Sequence, residues 1–196
     1  MCNTSPDQHT PRTFVAGAAL LLISIAGAHG QSNALPLYTR FFVPQPPNGA
    51  VQQVESLFDQ GQLKNALLIA AMETVSQAVW LTGGTASEVS ATVTSTLKQA
   101  NWQGAVPVLV LYDIPGRDCG SYSAGGAENT AEYEAWVDAI AAAIGSQKVV
   151  IVLEPDSLAD LPSDCGYNPS QANIPQLTAD RYTQITYAVT TLETGS

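Results

Sequence analysis

Trp80, Tyr112, Asp118 and Asp156 stand at matching places along this chain. Trp80 sits in the short apolar run Val79-Trp80-Leu81. Tyr112 closes the run Val106–Tyr112, with Asp118 soon after it. Glu154-Pro155-Asp156 follows the run Val149–Leu153. Each run reads as a strand, and in a parallel sheet all four side chains fall at the carboxyl end, where α/β folds hold ligands. Two carboxylates there suit general acid–base work: one delivers a proton to a leaving oxygen, the other acts on water or on the reacting carbon. The acid must keep its proton near working pH, which a neighbouring carboxylate and partial burial both favour. Asp156, just past a buried strand and near Asp118, fits that requirement. The Trp80 indole offers a flat apolar face to the C–H face of a sugar ring, and carboxylates match its hydroxyls. The pattern suits a neutral, hydroxyl-rich ligand. Each residue also has a plainer reading: Trp80 as core, Asp118 with Arg117 as a surface ion pair, Glu154-Pro155-Asp156 as a strand-ending turn, Tyr112 as a lid on the core.

What is missing narrows the chemistry. The chain has 196 residues, 7 basic and 17 acidic, for a net charge of −10. It has no basic run, so neither nucleic acid nor an anionic membrane surface is an expected partner. There is no Walker loop and no G-x-G-x-x-G cradle for a nucleotide. Residues 1–30 read as a secretory signal peptide: Arg12 supplies the basic end, Phe14–Ala28 the apolar run, and Ala28-His29-Gly30 a small-residue cleavage site. The run is short of the roughly 20 residues a membrane span needs. Cleavage removes Cys2, His9 and His29. A secreted chain without histidine has no Ser-His-Asp or Cys-His machinery and no histidine-bound metal. The remaining pair, Cys119 and Cys165, suggests one disulfide, which would tie the loop carrying Asp118 to the one carrying Asp156.

The positioning elements alternate. Leu37–Val43 reads as a strand ending at Pro44-Gln45-Pro46-Pro47. Val54, Leu57 and Phe58 have helical spacing, Gly61 interrupts it, and Leu63, Leu67 and Leu68 continue it toward Met72. Gln77–Leu81 is a second strand before Gly83-Gly84. Thr85-Ala86-Ser87-Glu88 is a capping box, followed by Val89, Val93 and Leu97 on one helix face. Val106–Tyr112 and Val149–Leu153 read as strands buried on both faces. Between them Asn129 caps a helix with the stripe Tyr133, Trp136, Val137, Ile140, Ala141 and Ile144, ended by Gly145. A loop with Cys165 and Pro169 leads to a last helix marked by Tyr182, Ile185, Val189 and Leu192. Four strands alternating with helices imply a single α/β domain with a parallel sheet.

Two long segments carry a resemblance. Val110-Leu111-Tyr112-Asp113-Ile114-Pro115-Gly116-Arg117-Asp118-Cys119-Gly120, continuing through Ser123-Ala124-Gly125-Gly126, is similar to the first signature of glycoside hydrolase family 6, the secreted cellulases. Ile151-Val152-Leu153-Glu154-Pro155-Asp156-Ser157-Leu158-Ala159 resembles its second signature, and Trp80-Leu81-Thr82-Gly83-Gly84 resembles an upstream tryptophan segment. The resemblance spans Leu37 to Ser196. It implies a distorted parallel β/α barrel, incomplete in this chain, that cleaves β-1,4-glucosidic bonds of cellulose or a related β-glucan with inversion. By match, Asp156 is the general acid. Asp118 helps it keep its proton and stabilises the oxocarbenium-like transition state. Tyr112 lies beside the distorted sugar, and Arg117 belongs to the same catalytic group. Trp80 and Thr82 bind a sugar two subsites toward the non-reducing end, and Cys119 and Cys165 form the disulfide beside the site.

The resemblance further implies a secreted, monomeric enzyme with no metal and no organic cofactor. Where members hold the catalytic water with a serine, this chain has Ala124, with Ser123 adjacent. The family continues into an Asp-Ala-Gly-His strand, further tryptophans and the base, so residues 31–196 are expected to be the N-terminal part of a catalytic domain. The expected alternative is an inactive, carbohydrate-binding remnant. The short stretch from Asp118 to Tyr133 points to an open cleft and internal cleavage. A nucleophile elbow is not supported, since Gly120-Ser121-Tyr122-Ser123-Ala124 lacks its second glycine.

Overall fold

The structure is a computed structural model that describes residues 35–165 and 173–194. The expected signal peptide, residues 1–30, and the loop position Pro169 lie outside the described residues. The chain divides into two units, Met1–Leu35 and Pro36–Ser196, and every element below belongs to the second. In order these are α1 (Asn48–Asp59), α2 (Leu63–Met72), β1 (Val79–Leu81), α3 (Ala86–Trp102), β2 (Val108–Leu111), α4 (Thr130–Ile144), β3 (Val150–Leu153) and α5 (Ile174–Thr194). The strands form one parallel sheet in the order β1-β2-β3. Val79 pairs with Leu109 and Val108 with Val150, so the three carboxyl ends lie side by side.

β2 is central, and Leu109, Val110 and Leu111 are buried, as a near-continuous apolar run requires when both faces are covered. The core combines these strands with Val89, Val93 and Leu97 of α3 and with Tyr133, Trp136, Val137, Ile140 and Ile144 of α4. α3 packs on α4 and α4 on α5. The helix starts follow their caps. Thr85 Oγ1 accepts the Glu88 N–H while Glu88 Oε2 accepts the Thr85 N–H, and Asn129 Oδ1 accepts the Glu132 N–H at 3.0 Å. The Thr85 N–H, then the Thr85 hydroxyl, donate to the Glu88 carboxyl and hold it below its ordinary range.

Two sequence expectations need correction. Leu37–Val43 is not a strand but a single parallel bridge, Phe41 to Val106. A turn at Leu37-Tyr38 precedes it, and Pro44, Pro46 and Pro47, which lack N–H donors, follow it, so pairing cannot extend. The sheet among the described residues therefore has three strands, not four. Second, β3 is not covered on both faces. It borders only β2, and Val152 is 40% exposed. The last helix forms as α5, where Ile185, Ala188 and Leu192 pack on the core, Arg181 and Gln184 are buried, and Tyr182 and Val189 are exposed.

The interruption at Gly61 separates two helices. Gly61 adopts φ +72, a left-handed conformation that most side chains resist, and α1 ends there. α1 and α2 pack on each other, yet Phe58, Leu63, Leu67, Leu68 and Met72 remain exposed. With β1 and β3 both at sheet edges, the described residues carry the open apolar helix face and open strand edges of an unclosed parallel β/α array.

Candidate active site

The carboxyl ends of the three strands carry the candidate residues. Tyr112 follows β2, and its N–H donates to Leu81 O at 2.9 Å. Its ring is buried, 5% exposed, but the hydroxyl reaches out and donates to Asp156 Oδ2 at 2.9 Å. Burial, then that hydrogen bond, push the Tyr112 phenol up to about 12, so it stays a donor across the ordinary pH range. Asp156 is exposed. Partial burial of Asp156 was expected; instead the carboxylates withdrawn from water are Asp113 and Glu154, 4% and 2% exposed.

Trp80 meets Tyr112 edge to face, with centroids 5.8 Å apart and planes at 87°. The indole is 56% exposed, which sets aside its reading as core and leaves its face free to stack. Thr82, just past β1, is exposed.

Arg117 joins these pieces. It donates through Nη1 to the carbonyls of Thr82, at 2.9 Å, and Tyr112, and through Nε to Ser123 O at 2.8 Å. Its guanidinium lies 4.8 Å from the centre of the Tyr112 ring and 3.7 Å from Asp113 Oδ1. The partner of Arg117 is thus Asp113, not the adjacent Asp118.

Asp118 sits in a turn where Gly116, Asp118, Cys119 and Gly120 all have positive φ, with Asp118 at +55 and Cys119 at +50. Such values cost energy for a side chain with Cβ, though aspartate tolerates them better than most. The turn is held where Asp118 Oδ2 accepts the Ser123 N–H, Asp118 O accepts the Ser121 N–H at 2.7 Å, and Cys119 is bonded to Cys165. Gly126 lets the returning loop pass close beneath, since a Cβ there would lie 2.1 Å from Ile114 O. Among the described residues no three His, Cys, Asp or Glu side chains are grouped to hold a metal ion.

The sequence reading gave no role to three buried polar groups behind this face. Glu154 accepts the Asp113 N–H through Oε1 at 2.9 Å. Asp113 is pushed up to about 6 by burial, against the pull of Arg117. Glu154 is pushed up to about 7 by burial, against the Asp113 and Ile114 amides. Arg181 of α5 donates to the carbonyls of Ser157, Asp160 and Pro115 at 2.8, 3.2 and 2.9 Å, and so ties the two signature loops to the helix. Burial lowers its pKa, and Glu154 is the strongest charge opposing that. Its signal in the sequence was faint: one cation in an acidic chain, three residues before Gln184 on a helix.

Parallel β/α units thus bring a carboxylate, a tyrosine and an open tryptophan together at their carboxyl ends. The model of Glycosyl hydrolases family 6 matches residues 38–196, and the chain belongs to that family. It is 32% identical over 159 residues to Endoglucanase A of Thermobispora bispora, covering 81% of this chain and 33% of that one. It is 45% identical over 100 residues to Endoglucanase 1 of Streptomyces sp. (strain KSM-9), covering 49% of this chain and 26% of that one. The endoglucanase Cel6 of Mycobacterium tuberculosis, solved with methyl-cellobiosyl-4-deoxy-4-thio-β-D-cellobioside, superposes with a TM-score of 0.63 at 32% identity, over 80% of this chain and 49% of that one. Endoglucanase CEL6B of Humicola insolens shares the fold at a TM-score of 0.62 and 19% identity. The three-stranded array is therefore part of the family's distorted barrel. The chain spans about half the length of the matched structures and a third or less of these two curated relatives.

Proposed function

We propose that this chain carries the acid side of a site that hydrolyses β-1,4-glucosidic bonds of cellulose or a related β-glucan with inversion. The observation that carries the reading is the Tyr112–Asp156 hydrogen bond at the carboxyl end of the sheet, beside an exposed indole. Asp156, reached by solvent and by Tyr112 at once, gives its proton to the leaving glycosidic oxygen. The sugar carbon gains positive character as that bond breaks, and the Asp118 carboxylate favours it electrostatically. Water attacks the opposite face of the anomeric carbon, inverts it and gives up a proton to solvent. Arg117 serves this group by holding the Thr82, Tyr112 and Ser123 carbonyls in one place. Trp80 and Thr82 bind a glucosyl unit two subsites away toward the non-reducing end. The thio-linked glucoside in the Mycobacterium tuberculosis relative supports a β-glucan ligand.

Residues 1–30 are proposed to direct export and residues 31–196 to form the N-terminal part of a catalytic domain that acts outside the cell as a monomer. The endoglucanase relatives favour cleavage within the polymer. Asp156→Asn tests the central assignment: cleavage of unactivated β-glucan should almost vanish while oligosaccharide affinity stays near wild type. An undiminished rate in that variant removes Asp156 as the acid.

A further inference from the structure

We infer that Glu154 is a positioning residue for the acid step, a buried strut that sets Tyr112 against Asp156; the inference rests on the reading of Asp156 as the acid. The geometry is a closed ring of short links. Glu154 lies two residues before Asp156, at the end of β3. Its N–H donates to Leu111 O at 2.8 Å, and its side chain crosses the sheet to accept the Asp113 N–H at 2.9 Å. Asp113 is bonded to Tyr112, and the Tyr112 hydroxyl returns to Asp156 Oδ2 at 2.9 Å. Each end of this ring is also fixed from outside. Ala127 N–H donates to Asp113 O at 2.8 Å and Ser157 N–H to Glu154 O at 3.0 Å.

Glu154 is not ordinary strand-end packing. It is 2% exposed, with φ +42, a left-handed conformation that costs a side chain with Cβ and persists only where surrounding contacts hold it. Its second oxygen, Oε2, and the Tyr133 hydroxyl are both buried without a hydrogen-bonding partner of ordinary geometry among the described residues, although they approach closely enough to affect each other's ionisation. A buried carboxyl kept under such conditions contributes less to stability than an apolar side chain of similar size. What it supplies is an acceptor at a set distance from the strand. The acceptor, rather than the charge, is the working part. Burial pushes the Glu154 carboxyl up to about 7, so below that pH it is mostly neutral and its carbonyl oxygen still accepts the amide.

The test compares three variants in the whole protein, each assayed well below its Tm. Glu154→Gln keeps an acceptor at the same length. Glu154→Asp keeps the carboxyl but is one methylene too short. Glu154→Ala has neither. Substrates are an unactivated cello-oligosaccharide and a cellobioside with a dinitrophenyl leaving group, which departs without a proton. The Asp and Ala variants should lose about tenfold or more in kcat on the oligosaccharide, with KM within about threefold, and far less on the activated substrate. The Gln variant should restore kcat and its pH profile. Equal losses on both substrates, or a Gln variant as slow as the Asp one, overturn the positioning role. If Glu154→Ala does not fold, the Gln and Asp variants decide alone. A wild-type protein inert to both substrates, or an Asp156→Asn variant as fast as wild type, would overturn the underlying acid assignment instead, and the strut with it.

Discussion

The hydroxyl of Tyr112 donates to Asp156 Oδ2 at 2.9 Å, bridging the loop after β2 and the loop after β3. The two residues are 44 positions apart and belong to different signatures, so their meeting depends on the parallel register that places Leu111 beside Leu153. Removing the hydroxyl alone isolates what this contact does. Tyr112→Phe should leave oligosaccharide affinity near wild type and lower kcat on unactivated β-glucan by about tenfold or more. Steady-state kinetics check it, and an unchanged kcat would reduce Tyr112 to packing.

Trp80 and Trp136 should separate binding from stability. Trp80 is 56% exposed beside Tyr112, whereas Trp136 is 2% exposed and its Nε1 donates to Gly83 O at 3.3 Å. Trp80→Ala should weaken cello-oligosaccharide binding and barely move Tm. Trp136→Ala should cost about 3–5 kcal/mol of stability by opening a cavity. Isothermal titration and thermal melts distinguish the two, and a large Tm loss in Trp80→Ala would return that residue to the core.

The Cys119–Cys165 bridge spans 46 residues and anchors the turn that carries Asp118. In the chain-entropy account it contributes roughly 4 kcal/mol. The Cys119→Ser, Cys165→Ser double variant should therefore melt well below wild type. Alkylation of the unfolded wild-type protein after export should find no free thiol, and two would refute the pairing in the secreted protein.

Stability should fall as pH rises toward neutrality. The Asp113 and Glu154 carboxyls are raised to about 6 and about 7 by burial, so the folded chain holds protons that the unfolded chain releases from about pH 4 upward. In that window the native state binds more protons, and the stabilisation present below it is lost as pH climbs through these values. Tm should drop by roughly 5 °C or more between about pH 4.5 and about pH 7. Glu154→Gln should flatten part of the slope. A Tm that rises over this range would contradict the buried pair.

Arg181 joins α5 to both signature loops through the carbonyls of Pro115, Ser157 and Asp160. Arg181→Ala would leave those carbonyls short of donors, at a cost of about 3 kcal/mol. Arg181→Lys, which lacks the planar fork, should recover only part of it. Denaturant midpoints check the series, and a wild-type midpoint for Arg181→Ala would make the contacts dispensable.

Much of this arrangement is local and could be read from residue order. Thr85 and Asn129 start their helices because a side-chain oxygen three residues ahead satisfies a free N–H. Gly61 divides α1 from α2, and the apolar runs at Val108–Leu111 and Val150–Leu153 became strands. The two signature segments also identified the family by themselves. Periodicity could not say which polar side chains enter the core, because that depends on what a distant loop needs. Arg181 and Gln184 are buried on α5 because the loops at Pro115 and Ser157 present carbonyls there and the first residue of α4, Thr130, presents a hydroxyl. Leu37–Val43 has strand composition but meets one partner residue between a turn and three prolines. Asp156 is exposed while Asp113 and Glu154 are buried. Side-chain direction at a strand end follows the local backbone turn, here the positive φ of Glu154, and the neighbouring strand determines what that side chain meets.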